Sequence, residues 1–311
     1  MTTTLRLGTR KSELAVAQSS TVARALEALH PGLRVELVTL STRGDTTPGM
    51  LAPLGGKGLF TEELEAGLTD GSLDLAVHSL KDLPVTLGEG LVVAAYPERA
   101  DPRDVLVSET AGNLDGLPDG SVLLTGALRR QCQILATHPR LRVEGVRGNV
   151  QTRLRKWRES GAGGVLLAAA GLDRLGISDL PAHRLDPESF IPAPGQGILA
   201  IEVRAGGEAE ALCRPLNHAP SARAAEAERR VVAAFGGNCA LPLAAWAHPA
   251  DPPGAEGLVL TALLALPDGS RVARARASAP TAGEAADTCV AALREQGADE
   301  ILAQIGTQID P

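Results

Sequence analysis

An alternation of strand and helix signals through the first two thirds of the chain most limits the folds available to it. Runs typical of strands lie at residues 5–8, 34–40, 73–77, 91–95, 122–124, 141–146 and 165–168. Helical patterns separate them at residues 13–29, from a predicted cap at Thr61 onward, and at 128–136, 150–159 and 169–175. The alternation restarts after Pro102. Two sets of βα units of this kind predict two α/β domains with mainly parallel sheets.

The last hundred residues follow a different pattern. Residues 221–235 form an Ala-rich helical pattern, and residues 282–296 form another. Between them, strand runs at 258–266 and 270–278 flank a Pro-Asp-Gly turn signal, which predicts a hairpin. This part of the chain is therefore predicted to be a small α+β domain.

A strongly basic stretch lies inside a chain that is acidic overall. Residues 129–158 contain one acid, Glu144, and nine basic residues, which are Arg129, Arg130, Arg140, Arg142, Arg147, Arg153, Arg155, Lys156 and Arg158. The stretch therefore carries +8, whereas the whole chain carries −7, so the remaining residues sum to −15. Guanidinium groups pair carboxylates and phosphates through two parallel hydrogen bonds. The stretch predicts a partner with many negative charges.

Composition limits what that partner can be. The sequence pI near 5.5 argues against a general nucleic-acid binder, and 2% aromatic residues are too few to stack the bases of a single strand. The polar first ten residues show no secretory signal, and no run approaches the roughly 18 apolar residues that span a bilayer. We therefore expect a cytosolic protein that acts neither on nucleic acid nor at a membrane.

The four cysteines, Cys132, Cys213, Cys239 and Cys289, are widely spaced and form no Cys-x-x-Cys pair. Free thiols therefore fit better than a disulfide frame or a zinc site, and the isolated histidines give no reason to expect a metal. Cys239 follows two glycines and Asn238, which indicates an accessible loop. Its thiolate would need a nearby cation to be a good nucleophile, and an inert, half-buried thiol is the more common alternative.

The segment 77–84, Val-His-Ser-Leu-Lys-Asp-Leu-Pro, follows a buried strand at the edge where open α/β sheets bind ligands. It sets Lys81 beside Asp82, and Pro84 stiffens the exit of the segment. Taken alone, it fits a solvated turn with a weak ion pair. The scarcity of lysine, with only four in the chain, and the position in a βα loop favour a functional role.

Three other segments are candidate ligand loops. Residues 9–12 end the first strand and open a helix that Ser12 can cap, so their amides favour anions, although capping alone also explains them. Residues 55–60 lack the Ser or Thr of a nucleotide-binding phosphate loop, and fit either a mobile connection or a lid that carries Lys57 and Phe60. Residues 192–197, Pro-Ala-Pro-Gly-Gln-Gly, fit a linker or a hinge beside a cleft.

In combination, these segments resemble the porphobilinogen deaminase (hydroxymethylbilane synthase) family. Nine motifs match in the family's order, at residues 9–12, 55–60, 76–84, 101–104, 128–131, 147–149 with Arg153, 170–172 with 174–176, 192–197, and Cys239 with Pro242. The resemblance implies two periplasmic-binding-protein-like α/β domains with a cleft between them, and a small C-terminal α+β domain that carries the cysteine. It divides the chain into domain 1 at 1–98 and 198–217, where a strand at 198–203 returns to the first sheet, domain 2 at 99–197, and domain 3 at 218–311.

The same resemblance implies an activity. Family members attach a dipyrromethane cofactor to the cysteine through a thioether. They then add four porphobilinogen molecules head to tail with loss of ammonia, and release the linear tetrapyrrole hydroxymethylbilane for porphyrin and heme biosynthesis. Each porphobilinogen brings two carboxylates, so the growing polypyrrole chain is a polyanion of the kind that the basic stretch predicts. A carboxylate such as Asp82 can stabilise the azafulvenium cation formed after deamination and shuttle protons to the leaving amine.

The resemblance also assigns roles to individual residues. Asp82 is the catalytic position, and Cys239 is the attachment point of the cofactor. Positions that match cofactor contacts are Ser79, Lys81, Arg129, Arg130, Arg147 and Gly148. Positions that match substrate contacts are Arg10, Ser12, Gln18, Arg153 and Arg174, and those that match a loop covering the cleft are Lys57 and Phe60. The family further implies a monomer.

Four positions depart from the family pattern. Ala127 stands where many members have Ser, and Glu62 stands where some have Lys, which affects single contacts. Asn238 replaces a small residue before the cysteine and Leu241 a β-branched residue after it, which affects only the local geometry of the loop. Two other classes of protein compete with the enzyme. An organic-anion binding protein would share the cleft and its arginines, but would need neither Cys239 nor an acid among the cations. A nucleic-acid-binding regulator would explain the basic stretch, but the chain shows no reading motif. The sequence favours the enzyme.

Overall fold

The computed structural model describes residues 3–41, 61–236, 241–250 and 257–309. Its first sheet contains β1 (Thr3–Arg10), β2 (Leu33–Leu40), β3 (Leu75–Ser79), β4 (Leu91–Ala95) and a strand from much later in the chain, β10 (Leu199–Arg204). The strand order is β2-β1-β3-β10-β4. Helices α1 (Glu13–Leu29) and α2 (Glu62–Thr69) pack against this sheet.

The second sheet also has five strands. They are β5 (Asp104–Val107), β6 (Val122–Leu124), β7 (Arg142–Glu144), β8 (Gly164–Ala168) and β9 (Ala182–Arg184), in the order β7-β6-β8-β5-β9. Helices α3 (Leu128–Thr137), α4 (Val150–Ser160) and α5 (Ala169–Arg174) alternate with these strands along the chain. The second set of βα units predicted from the sequence therefore forms one sheet of its own.

In each of these two sheets, one strand runs against the other four. β10 is antiparallel to β3 and β4, and β5 is antiparallel to β8 and β9, whereas the other pairs are parallel. These are the strands by which the chain enters from the other sheet. Each of these strands begins beside the carboxyl end of a neighbouring strand, since Leu199 pairs with Ser79 and Asp104 pairs with Ala168. It must therefore run antiparallel to that neighbour. The prediction of mainly parallel sheets is confirmed, with one exception in each sheet.

After β10, the short helix α6 (Glu208–Cys213) leads to the third unit. This unit has an antiparallel sheet of β11 (Leu243–Pro249), β12 (Leu258–Ala265) and β13 (Val272–Ala279), packed by α7 (Ala219–Ala234) and α8 (Ala282–Glu295) and followed by α9 (Ala298–Ile309). The predicted hairpin is confirmed by the register of β12 and β13. β12 is buried along its whole length, because helices and neighbouring strands enclose it. β11 and α9 are not among the elements predicted from the sequence.

Local signals explain where some helices begin. Ser12 caps α1 by accepting from the Ala15 amide at 3.2 Å, and Asn149 caps α4 in the same way. The prediction that Thr61 caps α2 is wrong. Its ψ of −24° is not extended, and its side chain forms no capping hydrogen bond. The acidic first turn of α2, with Glu62 and Glu63, still favours a helix start through the helix dipole.

Three thiols of the described residues belong to the core. Cys132, Cys213 and Cys289 are buried and free, and burial raises the pKa of these thiols to about 12, about 12 and about 11. Cys239 lies outside the described residues. Within the described ranges, no helix has the length and apolar character that crossing a membrane requires. The same ranges hold no cluster of His, Cys, Asp and Glu side chains that could bind a metal.

Candidate active site

Two segments carry the chain between the first and second sheets, and they lie side by side. We call residues 96–103 and 190–198 the crossing pair. The Ala100 amide donates to the Gly197 carbonyl at 3.1 Å. Gly195 and Gly197 have φ of 75° and 87°, which favours glycine, and a Cβ at Gly197 would collide with the Ala100 carbonyl. The two segments can therefore approach this closely only because residue 197 has no side chain.

The third unit is bonded to the crossing pair through Glu228 of α7. This fully buried carboxylate accepts from Arg99 at 2.6 Å, from the Ala247 amide at 2.8 Å and from the Gly195 amide. Burial raises the pKa of Glu228, while Arg99 and the two amides act in the opposite direction. The buried ion pair between Arg99 and Glu228 therefore joins the third unit to the two segments that connect the first and second sheets.

The predicted catalytic acid stands on a short turn at the carboxyl edge of the first sheet. β3 ends at Ser79, and Leu80–Asp82 form a single 3₁₀ turn. The flanking Leu80 and Leu83 are buried, whereas Asp82 is exposed. The Leu80 amide donates to the Ile198 carbonyl at 3.0 Å, which fixes the turn to the crossing pair. We call residues 80–83 the Asp82 turn.

Lys81 reaches from this turn toward the second sheet. Its Nζ donates to Oε1 of Gln196 at 3.4 Å. Desolvation lowers the pKa of Lys81 to about 8; Asp82 raises it in part, and the positive charge of Arg130 lowers it further. The charged ammonium form of Lys81 is poorly stabilised here, so an anion bound beside it would be favourable.

Arg129 and Arg130 lie in the first turn of α3, and both bond to the buried carboxylate of Asp104 at the start of β5. The distances are 2.5 Å from Arg129 and 2.8 Å from Arg130. Each also donates to a backbone carbonyl, Arg129 to Ile191 and Arg130 to Leu166. Burial alone would raise the pKa of Asp104, but the two guanidinium groups outweigh it and hold that pKa well below its ordinary value. No role for Asp104 was predicted from the sequence, although this residue ends the family motif at 101–104 and opens an apolar Asp-Val-Leu-Val run.

Gln196 joins the two halves of the site. It belongs to the crossing pair and is 1% exposed. Its Nε2 donates to Asp104 at 2.9 Å and to the Pro102 carbonyl at 2.7 Å, while its Oε1 accepts from Lys81. One buried amide therefore links Lys81 of the first sheet to the ion pairs of the second. The Pro-Ala-Pro-Gly-Gln-Gly segment was predicted to be a linker or a hinge, and no role was predicted for Gln196.

Arg153, at the start of α4, belongs to a group of charged residues that we call the cluster around Lys81; the others are Lys81, Asp82, Asp104, Arg129 and Arg130. Its Nε donates to the Gly148 carbonyl at 2.8 Å. Desolvation lowers the pKa of Arg153, the charge of Arg130 acts in the same direction, and Asp82 opposes both, so these groups lie within electrostatic reach of one another. Gly148 has a φ of 115°, and a Cβ there would collide with Thr152. Arg147 is exposed beside them.

The first sheet contributes three more predicted positions. Gln18 of α1 is buried, and its Nε2 donates to the Ser79 hydroxyl at 2.9 Å. Ser12 caps α1, and Arg10 is the last residue of β1, partly buried at the carboxyl edge. These positions and the Asp82 turn therefore share one edge of the sheet.

The second sheet faces that edge. Gln151 of α4 donates to Glu13 in the first turn of α1 at 2.5 Å, so the amino-terminal ends of these two helices lie together. Arg174, the last residue of α5, donates to the Gly197 carbonyl at 2.8 Å, and burial lowers its pKa to about 10. Helix amino termini and partly desolvated guanidinium groups make this cleft favourable for anions.

Only part of the basic stretch reaches the cleft. Arg140 bonds to Asp119 at 2.9 Å, and Arg155 pairs with Glu159 at 3.0 Å. Lys156 donates to the backbone carbonyl of Arg147. The net charge of the stretch is therefore divided between surface ion pairs and the cluster around Lys81.

Three predicted positions, Lys57, Phe60 and Cys239, lie outside the described residues. Both ends of the segment 237–240 are described. Phe235 and Leu241 are buried in the same apolar cluster as Leu80 and Leu83. The described residues on either side of 237–240 therefore belong to the core that supports the Asp82 turn.

The cluster has a clear chemical capacity. Lys81, Arg129, Arg130 and Arg153 place four positive charges against the two negative charges of Asp82 and Asp104. Such a site can hold the carboxylates of an anionic ligand. It also sets one exposed carboxylate, on Asp82, where it can stabilise a cation that develops on that ligand.

Comparison with known proteins gives matches over most of the chain. Residues 5–211 match the family described as "Porphobilinogen deaminase, dipyromethane cofactor binding domain", and residues 222–296 match "Porphobilinogen deaminase, C-terminal domain". A relative from Paraburkholderia phymatum named porphobilinogen deaminase is 44% identical, over 99% of this chain and 95% of its own length. Relatives of the same name from Syntrophotalea carbinolica and Chromobacterium violaceum are 44% and 46% identical, over 97% and 88% of this chain and 96% and 88% of their own lengths. Among solved structures, the methionine-binding protein MetQ matches at 15% identity with a TM-score of 0.41, over 68% of this chain and 89% of that chain.

Proposed function

The chain belongs to the porphobilinogen deaminase family, and from this membership we propose the following function. The protein is a transferase of porphyrin biosynthesis that joins four porphobilinogen molecules head to tail. It releases one ammonia for each molecule and yields the linear tetrapyrrole hydroxymethylbilane.

The position of Asp82 carries this proposal. It is an exposed carboxylate at the carboxyl edge of the first sheet, and its charge acts on both Lys81 and Arg153. When the aminomethyl group of the substrate leaves as ammonia, a cation remains, which a fixed carboxylate stabilises. The same carboxylate can pass a proton to the leaving amine. The surrounding cations hold the carboxylates of the substrate.

The described residues also fit the dipyrromethane cofactor named by the matching family. Two linked pyrrole units carry several carboxylates, and the cluster around Lys81 has two positive charges in excess. Among the described residues, Arg153 forms a hydrogen bond only through Nε, so its terminal nitrogens suit an anion. Residues assigned to the cofactor are Ser79, Lys81, Arg129, Arg130, Arg147 and Gly148. When bound, the cofactor supplies the pyrrole carbon to which the first substrate is joined.

A second set of residues is assigned to the substrate and the growing chain. These are Arg10, Ser12, Gln18, Arg153 and Arg174. The contact of Gln18 with Ser79, and that of Arg174 with the crossing pair, support the assignment, because both side chains border the cleft. Lys57 and Phe60 keep the cleft-covering role that the family resemblance implies.

Attachment of the cofactor is assigned to Cys239. The other three thiols are buried, and their raised pKa values keep them protonated and unreactive. Phe235 and Leu241, which flank the Cys239 segment, share the apolar core of the Asp82 turn. A cofactor that starts at Cys239 can therefore extend toward Asp82.

An organic-anion binding protein is the less favoured alternative. Such a protein would use the cations of the cleft, but an exposed acid among them would weaken its affinity for anions. Family membership adds to that argument. A monomer and a cytosolic location stay predictions.

Intact-mass measurement after incubation with porphobilinogen tests the function. We expect an increment of two linked pyrrole units on the peptide that contains Cys239, together with release of hydroxymethylbilane. Cys239→Ser should lose both, whereas Cys213→Ala, at a buried thiol, should keep the increment. A wild-type protein that keeps its bare polypeptide mass and forms no tetrapyrrole would overturn the proposal.

A further inference from the structure

Arg229 of α7 reaches out of the third unit to the backbone that follows Asp82. Its guanidinium donates to three consecutive carbonyls, those of Leu83 at 3.2 Å, Pro84 at 2.8 Å and Val85 at 2.9 Å. Among the described residues, no other donor bonds to these three oxygens. Within the described residues, the hydrogen bonds to these three carbonyls therefore come from one side chain rather than from a strand ladder.

The apolar contacts of the turn lead to the same helix. Leu80 and Leu83 bury their side chains in a cluster with Ala227 and Val231 of α7. In this way the turn belongs structurally to the third unit as much as to the first sheet. Asp82 itself is exposed, so its own side chain contributes no packing that would fix its direction.

The adjacent arginine on the helix provides a contrast. Arg230 pairs with Glu226 one turn away at 3.2 Å, and its side chain is 52% exposed. A pair of this kind contributes little to stability. Arg229 and Arg230 thus share a helix and a charge, and they differ in whether they hold the turn.

We propose that Arg229 is a positioning residue for the catalytic carboxylate: by binding three carbonyls after Asp82, it fixes where that carboxylate stands relative to the reacting atoms. In this role Arg229 acts through the backbone of residues 83–85 rather than by contact with the substrate or the cofactor. The inference rests on the proposed function, since it assumes that Asp82 acts in the reaction.

The first experiment compares Arg229→Met, Arg229→Lys and the matched control Arg230→Met. Arg229→Met should lower kcat by about tenfold to a hundredfold with KM changed by less than about twofold, since a shift of about 1 Å at a reacting group has an effect of this size. Arg229→Lys should fall between it and the wild type, because an ammonium cannot match the planar fork of a guanidinium. Arg230→Met should behave as the wild type. Equal kcat values for Arg229→Met and Arg230→Met, at equal folded fractions, would refute the role.

A double-mutant cycle separates positioning from a general loss of structure. In an Asp82→Glu background the carboxylate is already displaced, so a further change at residue 229 should lower kcat by less than about twofold. A full additional loss in that background would show that Arg229 acts elsewhere. If Arg229→Met does not fold, Arg229→Lys carries the same cycle with the same two outcomes. A wild-type protein without tetrapyrrole synthesis would sink the proposed function instead, and the two failures are therefore distinguishable.

Discussion

Asp82 combines exposure with a fixed backbone, so its side chain can be changed without disturbing the core. Asp82→Asn should lower kcat by about 10²- to 10⁴-fold, because a neutral amide neither stabilises a cation nor shuttles a proton. The free energy of unfolding should change by less than about 0.5 kcal/mol. Steady-state consumption of porphobilinogen and urea unfolding measure the two effects. Asp287→Asn, an exposed acid on α8, should leave both unchanged; normal turnover by Asp82→Asn would contradict the assignment.

Lys81 should make the free energy of unfolding depend on pH, and this dependence can be measured without any enzymatic turnover. Desolvation lowers its pKa from 10.5 to about 8 in the folded protein. Between these two pH values the unfolded chain binds the Lys81 proton more tightly than the folded one, so the free energy of unfolding rises with pH as far as this group is concerned. For the cofactor-free protein, the stability of the wild type relative to Lys81→Met should therefore increase from pH 8 to pH 10.5. A flat difference across that range would show that Lys81 is not desolvated.

At the scale of elements, Asp104 joins β5 to α3. Asp104→Asn leaves two buried guanidinium groups without their carboxylate, so it should lower the free energy of unfolding by about 3–5 kcal/mol. Asp101→Asn is the control, since Asp101 pairs with partly exposed Arg103 and Arg184 and should cost about 1 kcal/mol or less.

The difference in the free energy of unfolding between the wild type and Asp104→Asn should also change with pH in a predictable direction. The folded pKa of Asp104 is held below its ordinary value, so its contribution is complete above the unfolded pKa of about 4 and fades as pH falls further. Urea unfolding at several pH values measures it. Equal stability of Asp104→Asn and the wild type at neutral pH would show that the ion pairs contribute nothing net.

Sequence patterns correctly predicted the elements that depend on residues close together in the chain. The alternation of strands and helices, the Ser12 cap and the β12–β13 hairpin depend on neighbouring residues, and the structure has all three. β5 was not predicted, because it opens with Asp104, whose burial depends on Arg129 and Arg130 of a later helix. Thr61 has the right side chain for a cap but the wrong backbone angle, which its sequence does not reveal.

Some residues of the candidate site were predicted from the sequence, and others were not. The family resemblance led to Asp82, Lys81 and Arg153, and in the structure the charge of Asp82 acts on both Lys81 and Arg153. Their roles in the reaction stay predictions. The basic stretch did not reveal that Arg129 and Arg130 share a buried carboxylate, because that pairing depends on how β5 enters its sheet. Gln196 and Arg229 were not identified either, since both act on partners more than 90 residues away in sequence.

At the scale of the whole molecule, the crossing pair sets the relation between the first two sheets. Gly197→Ala would meet both a positive φ and a collision with the Ala100 carbonyl. It should lower the free energy of unfolding by about 2 kcal/mol or more. Gly206→Ala is the matched control, because its φ is also positive but nothing lies where a Cβ would stand; it should cost about 1 kcal/mol. Thermal unfolding of the two variants compares them, and equal losses would mean that the close approach at residue 197 is dispensable.

The return of β10 to the first sheet has a consequence for the order in which the protein takes shape during synthesis. A ribosome that has translated as far as residue 198 has produced β3 and β4 but not the strand that lies between them. Until β10 emerges, the nascent amino-terminal part has two open strand edges that invite pairing with other chains. Emergence of residues 199–204 from the ribosome is therefore the step after which the first sheet can be completed.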